Sequence, residues 1–157
     1  MIALQIPGRG EIGLAHAVLD VNGTLALDGV LLDGVAERIA ALRARLQVHL
    51  LTADTHGRQA TIDTALGLKA HRMRAGVPED AQKAAYVAAL GAELVVAIGN
   101  GANDAEMLRL AAVGIAVIGP EGAARAALEA ADVVTAEPLV ALDLLLHERR
   151  LIATLRR

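Results

Sequence analysis

Short apolar runs rich in β-branched residues alternate with amphipathic stretches along almost the whole 157-residue chain. That alternation restricts the fold more than any other feature. The runs have the length of strands and end in turn residues, whereas the amphipathic stretches repeat their apolar positions at helical spacing. This order calls for a parallel sheet with crossover helices, an α/β fold. Strands are expected at 17–20 (AVLD), 48–52 (VHLLT), 94–100 (LVVAIGN), 113–118 (VGIAVI) and 132–135 (DVVT). Val35, Ile39, Leu42 and Leu46 mark a helix across 34–46, with further helices at 56–66, 79–90, 103–111, 121–130 and 138–146. Asp-Gly between the apolar flanks of LALDGVL (25–31) reads as a small hairpin after the first strand. The opening MIALQI is expected to pair with residues 14–19 as an antiparallel edge strand. With no repeat or linker, residues 1–157 read as a single domain.

Composition removes several functional classes. No cysteine means no disulfide framework and no thiolate chemistry, and no serine means no Ser-His-Asp triad. A formal net charge of −3 gives no broad basic field, and Tyr86 is the lone aromatic residue, so nucleic acid is not the expected partner. No apolar run reaches the length of a membrane span, and MIALQIPGRGE lacks a secretory signal's pattern, so a soluble cytoplasmic protein is expected. The five histidines show no paired ligand spacing, although His56 follows Thr52 closely. The tail LHERRLIATLRR is amphipathic with clustered arginines, which suits either a docking helix or a solvated basic face.

Ligands of open α/β sheets bind at the carboxyl ends of the strands, where the strand order reverses. Those ends carry Asp20, Thr52 and the loop GNGAND (99–104). Asp20, followed by Asn22 and Gly23, can attack phosphorus or bind Mg²⁺, or it can simply form an Asx turn. The Thr52 hydroxyl and the backbone N–H of Ala53 can hold a phosphate at a strand-to-helix turn, or Thr52 can cap the next helix; Asp54 and Thr55 read better as caps. Lys83 is one of only two lysines; it can neutralise a phosphoryl group or lie solvated on its helix. In the last motif, Asp104 replaces the third glycine of a dinucleotide fingerprint and would repel a pyrophosphate. A cation is the better reading, with Asp104 as ligand and Asn100 and Asn103 supplying amide oxygens or orientation.

Taken together, DVNGTL (20–25), Thr52, Lys83 and GNGAND (99–104) resemble, in order, the four motifs of the haloacid dehalogenase superfamily of phosphohydrolases and P-type ATPase phosphorylation domains. Within it, GNGANDAEML, AADVV and RLIATLRR are most similar to the soluble P-type ATPase-like proteins. The resemblance implies a three-layer, flavodoxin-like sheet with a hairpin flap. It also implies Mg²⁺-dependent phosphomonoester hydrolysis through an aspartyl-phosphate on Asp20. Asp20, the Asn22 carbonyl, Asn100 and Asp104 would hold Mg²⁺; Thr52, Ala53, Gly23 and Lys83 would bind the phosphoryl group. The short spacings from Asp20 to Thr52 and from Thr52 to Lys83 leave no room for a cap domain, so bulky substrates or a neighbouring subunit, hence a homo-oligomer, are implied. Two departures bear on rate. Asn22 stands where many members place an acid/base aspartate, and Asn100 replaces the first acid of the last motif. A missing acid/base group costs on the order of a hundred- to ten-thousandfold, which favours slow breakdown of a phospho-aspartate. A phosphate-binding protein without catalysis is the competing reading.

Overall fold

The computed structural model describes residues 1–157. Strands β1 (Ile2–Ile6) and β2 (Gly10–Leu14) form an antiparallel ribbon around the turn at Pro7 and Gly8. They are followed by β3 (His16–Asp20), a hairpin of β4 (Ala26–Leu27) and β5 (Val30–Leu31), helix α1 (Val35–Arg43) and β6 (Gln47–Thr52). Helix α2 (Gln59–Leu66), β7 (His71–Arg72), α3 (Glu79–Ala89) and β8 (Val95–Gly99) come next. A single 3₁₀ turn (Ala102–Asp104) leads into α4 (Ala105–Leu110), then β9 (Val113–Val117), α5 (Arg125–Ala130), β10 (Val133–Thr135), α6 (Pro138–Leu146) and α7 (Glu148–Leu155).

Six strands form one wholly parallel sheet in the order β10-β9-β8-β3-β6-β7. The period-two geometry of a strand sends alternate side chains to opposite faces, and here both faces are buried. Ala17 and Leu19 join one core with Val96, Ile98, Val113 and Ile115, under α1, α2, α6 and α7. Val18 joins the other with Val95, Ala97 and Ala116, under α3, α4 and α5. This is the expected three-layer α/β/α sandwich. The hairpin also forms as expected, because Asp28 (φ 52°) and Gly29 (φ 76°) both take the left-handed conformation that a tight two-residue turn requires.

The amino-terminal strand is not where the sequence suggested. Both edges of β3 are taken, by β6 and β8, so β1 cannot pair with residues 16–19, and of the expected partners 14–19 only Leu14 faces it, opposite Ile2. It pairs instead with β2, and its inward residues Ile2, Leu4 and Ile6 share the core with Leu151 and Leu155 of α7. The tail helix is thereby docked within the chain, its arginines Arg149, Arg150, Arg156 and Arg157 facing solvent. No helix is long and apolar enough to cross a membrane.

On the second face the small residues Ala97, Gly114 and Ala116 let helices approach closely. A Cβ on Gly114 would collide with the carbonyl oxygen of Leu108 in α4. Because the obstacle is backbone, Gly114→Ala must push α4 and the preceding loop away from the sheet. Overpacking of this kind costs typically ~1–3 kcal/mol, and a lowered urea midpoint at unchanged m-value is the expected result.

Candidate active site

The strand order reverses between β3 and β8, and chain segments leaving those two carboxyl ends diverge to opposite sides of the sheet. The crevice so formed is the general ligand position of open α/β sheets. Here it is a cavity of about 200 Å³ lined by Asp20, Asn22, Ala53, Thr55, Glu79, Lys83, Asn100, Gly101, Asn103 and Glu121. Only one of these residues is hydrophobic.

Lys83 lies at its base, 1 % exposed, with Nζ donating to Asp20 Oδ1 at 2.6 Å and to Asp104 Oδ1 at 2.7 Å. The lysine is far from a solvated helix residue. It shares the inward face of α3 with Val87, four residues on, which is buried in the core. Burial works against its charge, but the two carboxylates outweigh that and raise its pKa above the ordinary lysine value. Asp20 is pushed up to about 7 by burial first and by the charge of Asp104 second, while Lys83 and Thr24 pull it back toward the ionised form. The Thr24 hydroxyl lies 3.2 Å from Asp20 Oδ2 and 3.3 Å from Asn100 Oδ1, so it donates to one of them at a time.

Asp104 is completely buried and does not line the cavity. Its Oδ2 accepts the backbone N–H groups of Asn100 and Gly101, both at 2.9 Å, which shapes the loop after β8. Its other oxygen holds Lys83. The Asn100 side chain is likewise engaged, its Nδ2 donating to the Gly122 carbonyl at 3.1 Å. Asn103 donates to Glu79 Oε2 at 2.6 Å, tying the last motif to the start of α3.

Thr52 is buried behind the cavity wall, where its Oγ1 accepts from Asn22 Nδ2 at 3.3 Å and from the N–H of Asp54 at 2.9 Å. Its own hydroxyl proton remains as a donor. Asp54 accepts the N–H of Gln59, the first residue of α2, and so serves the helix start as expected. Thr55 does not share that task; it faces the cavity. His56 packs against Gly29 of the hairpin rather than lining the cavity. Gly23 sits under the site and turns the chain with φ 79°.

The structure therefore brings Asp20, Asn22, Ala53, Lys83, Asn100 and Asn103 to one cavity and sets Thr52, Gly23 and Asp104 immediately behind it. Sequence reasoning did not single out Glu79 or Glu121. Glu121 lies just past the end of β9, at the same sheet edge, so extending the strand-end inspection by one strand would have found it. No group of three or more His, Cys, Asp or Glu side chains converges anywhere. The donors around Asp20 are oxygens, of carboxylate and amide type. Such a set suits Mg²⁺, which takes one or two carboxylates and completes its sphere with water and substrate oxygens.

A parallel α/β sheet with a carboxylate, a buried lysine and oxygen donors at its switch point defines a class of α/β proteins with a polar ligand site at the carboxyl ends of the strands. The family of haloacid dehalogenase-like hydrolases matches residues 3–112 of the chain, and the protein belongs to it. The uncharacterized protein MJ0073 of Methanocaldococcus jannaschii is 50% identical over 62 residues, 40% of this chain and 67% of that protein. Among solved structures, the 3-deoxy-D-manno-octulosonate 8-phosphate phosphatase of Moraxella catarrhalis, in complex with magnesium, phosphate and KDO, shares the fold. It has a TM-score of 0.63 and 18% identity, over 91% of this chain and 94% of that one. A zinc-transporting PIB-type ATPase in its E2.Pi state matches with a TM-score of 0.62 and 31% identity, over 79% of this chain and 20% of the pump.

Removing the lysine leaves two buried carboxylates facing each other without a counter-charge. Lys83→Met is expected to lower unfolding free energy by about 3–5 kcal/mol, the usual cost of breaking a buried ion pair on one side. The loss should shrink in urea titrations at pH 5 relative to pH 8, because protonation relieves the uncompensated negative charge.

Proposed function

We propose that the protein is a Mg²⁺-dependent phosphomonoester hydrolase that works through an aspartyl-phosphate on Asp20. The observation that carries this reading is the Lys83 bridge, which holds the Asp20 carboxylate at the base of a polar cavity. Family membership as a hydrolase supports it. So do the phosphatase activity, magnesium and phosphate named for the Moraxella neighbour and the E2.Pi state named for the zinc pump.

One oxygen of Asp20 attacks phosphorus, forming a new P–O bond while the ester P–O bond breaks and the alkoxide leaves. Lys83, with a donor beyond its two carboxylate bonds, offsets charge on the transferring group. The Thr52 hydroxyl and the Ala53 N–H orient its oxygens. Asp20, the Asn22 carbonyl and Asn100 would hold the cation, and Asp104 acts from behind by fixing Lys83 and the loop. Bound there, Mg²⁺ adds positive charge against the phosphoryl oxygens and lowers repulsion between phosphate and carboxylate.

Asn22 governs the tempo. Its amide donates to Thr52 and cannot exchange a proton, so the leaving group and the attacking water rely on solvent. Attack of water on the phospho-aspartate then releases inorganic phosphate and restores Asp20, slowly. With no cap, the mouth accepts a bulky phosphorylated substrate or is closed by a second copy of the chain.

Asp20→Ala is expected to abolish Mg²⁺-dependent release of phosphate across a panel of phosphomonoesters. Asn22→Asp, which restores a proton carrier, is expected to raise turnover on the order of a hundredfold. A wild-type protein that binds beryllofluoride with Mg²⁺ yet turns over nothing, before or after Asn22→Asp, would instead be a phosphate-binding protein on the same scaffold.

A further inference from the structure

Glu121 occupies a position no sequence motif claims. It lies third in a β-turn, Gly119-Pro120-Glu121-Gly122, closed by the Gly122 N–H donating to the Gly119 carbonyl at 3.2 Å. Proline at the second position pre-sets such a turn. The turn is anchored to the sheet edge, where the N–H groups of Ile118 and Gly119 donate to the carbonyls of Thr135 and Ala136. It is also clamped to Asn100 twice: the Ala124 N–H donates to the Asn100 carbonyl at 2.8 Å, and Asn100 Nδ2 donates to the Gly122 carbonyl at 3.1 Å.

These bonds fix the backbone that carries Glu121, whose side chain lines the cavity close to Asn100 and Gly23. A Cβ on Gly23 would run into Glu121 Oε2 and would lie 2.6 Å from Asn100 Nδ2 and 3.0 Å from Asn100 Oδ1. The bare Gly23 backbone is what lets carboxylate and amide crowd the same point. The second clamp needs a donor at position 100. A carboxylate there would face the Gly122 carbonyl with no proton to give and would repel Glu121 (like charges at close range). The amide at 100 and the acid at 121 therefore belong together physically.

We infer that Glu121 is a direct ligand of the divalent cation, supplying from the β9 side the negative charge that Asn100 lacks. The inference rests on the reading of the Asp20 cavity as a Mg²⁺ site. Asp20 and Glu121 then bring two carboxylates, and Asn100 contributes an amide oxygen while fixing the loop that carries the second acid. This donor count is within the range Mg²⁺ uses alongside water and phosphate oxygens.

The test is titration with Mg²⁺ alone by isothermal calorimetry, together with the melting temperature with and without Mg²⁺. Glu121→Gln keeps size and polarity at an exposed position, so its melting temperature without Mg²⁺ should match the wild type. Its Kd for Mg²⁺ should weaken at least tenfold, and the Mg²⁺-induced rise in melting temperature should shrink accordingly. An unchanged Mg²⁺ affinity in Glu121→Gln overturns the inference. If Asp20→Ala still abolishes turnover in that case, the hydrolase reading stands without it. A wild-type protein that takes up no Mg²⁺ overturns both.

Discussion

The rest of the site depends on one buried ammonium between two carboxylates. Lys83, on α3, reaches Asp20 at the end of β3 and Asp104 after β8, so a single group joins a helix to both sides of the switch point. A trio of this kind is poor evidence for net stability, because the cost of desolvating three charges rivals their attraction. Its effect here is geometric. It keeps the Asp20 carboxylate in one orientation and resists the tendency of burial to neutralise it. The nucleophilic role proposed for Asp20 needs both.

Around that trio the polar groups are used in a strict order of depth. Asp104 commits both carboxylate oxygens, one to Lys83 and the other to two loop N–H groups, and does not line the cavity. Asn100 is half structural, tied to Thr24 and to the loop after β9, with one face toward the cavity. Asn22 and Glu121 stand at the mouth. The side chains most committed to the fold are thus the least available to a ligand, and the amides that look like losses in the motifs do mechanical work as hydrogen-bond donors that carboxylates could not do.

Much of this was legible in the sequence, for definite reasons. The buried strands showed themselves because their residues are apolar on both faces, and Asp-Gly announced the hairpin because two left-handed residues are needed there. β7 was invisible because it is two exposed polar residues, His71 and Arg72, with no apolar pattern of their own. The ribbon of β1 and β2 was misjudged because an apolar strand does not reveal which edge is free. Asp20, Thr52, Lys83 and the GNGAND loop were findable from strand ends and spacing. Which way Asp104, Thr55 and Glu121 face was not, since in a loop the direction of a side chain follows from backbone bonds that a periodic pattern does not encode.

The most direct test of the account is whether Asp20 takes a phosphoryl group. Protein incubated with Mg²⁺ and a small phosphoryl donor such as acetyl phosphate, quenched in acid and measured by intact mass and peptide mapping, should carry one phosphoryl group on Asp20. The adduct should be lost on treatment with hydroxylamine and decay faster in Asn22→Asp. Absence of the adduct in wild type and Asn22→Asp alike, with turnover still present, or an adduct that persists in Asp20→Ala, would contradict it.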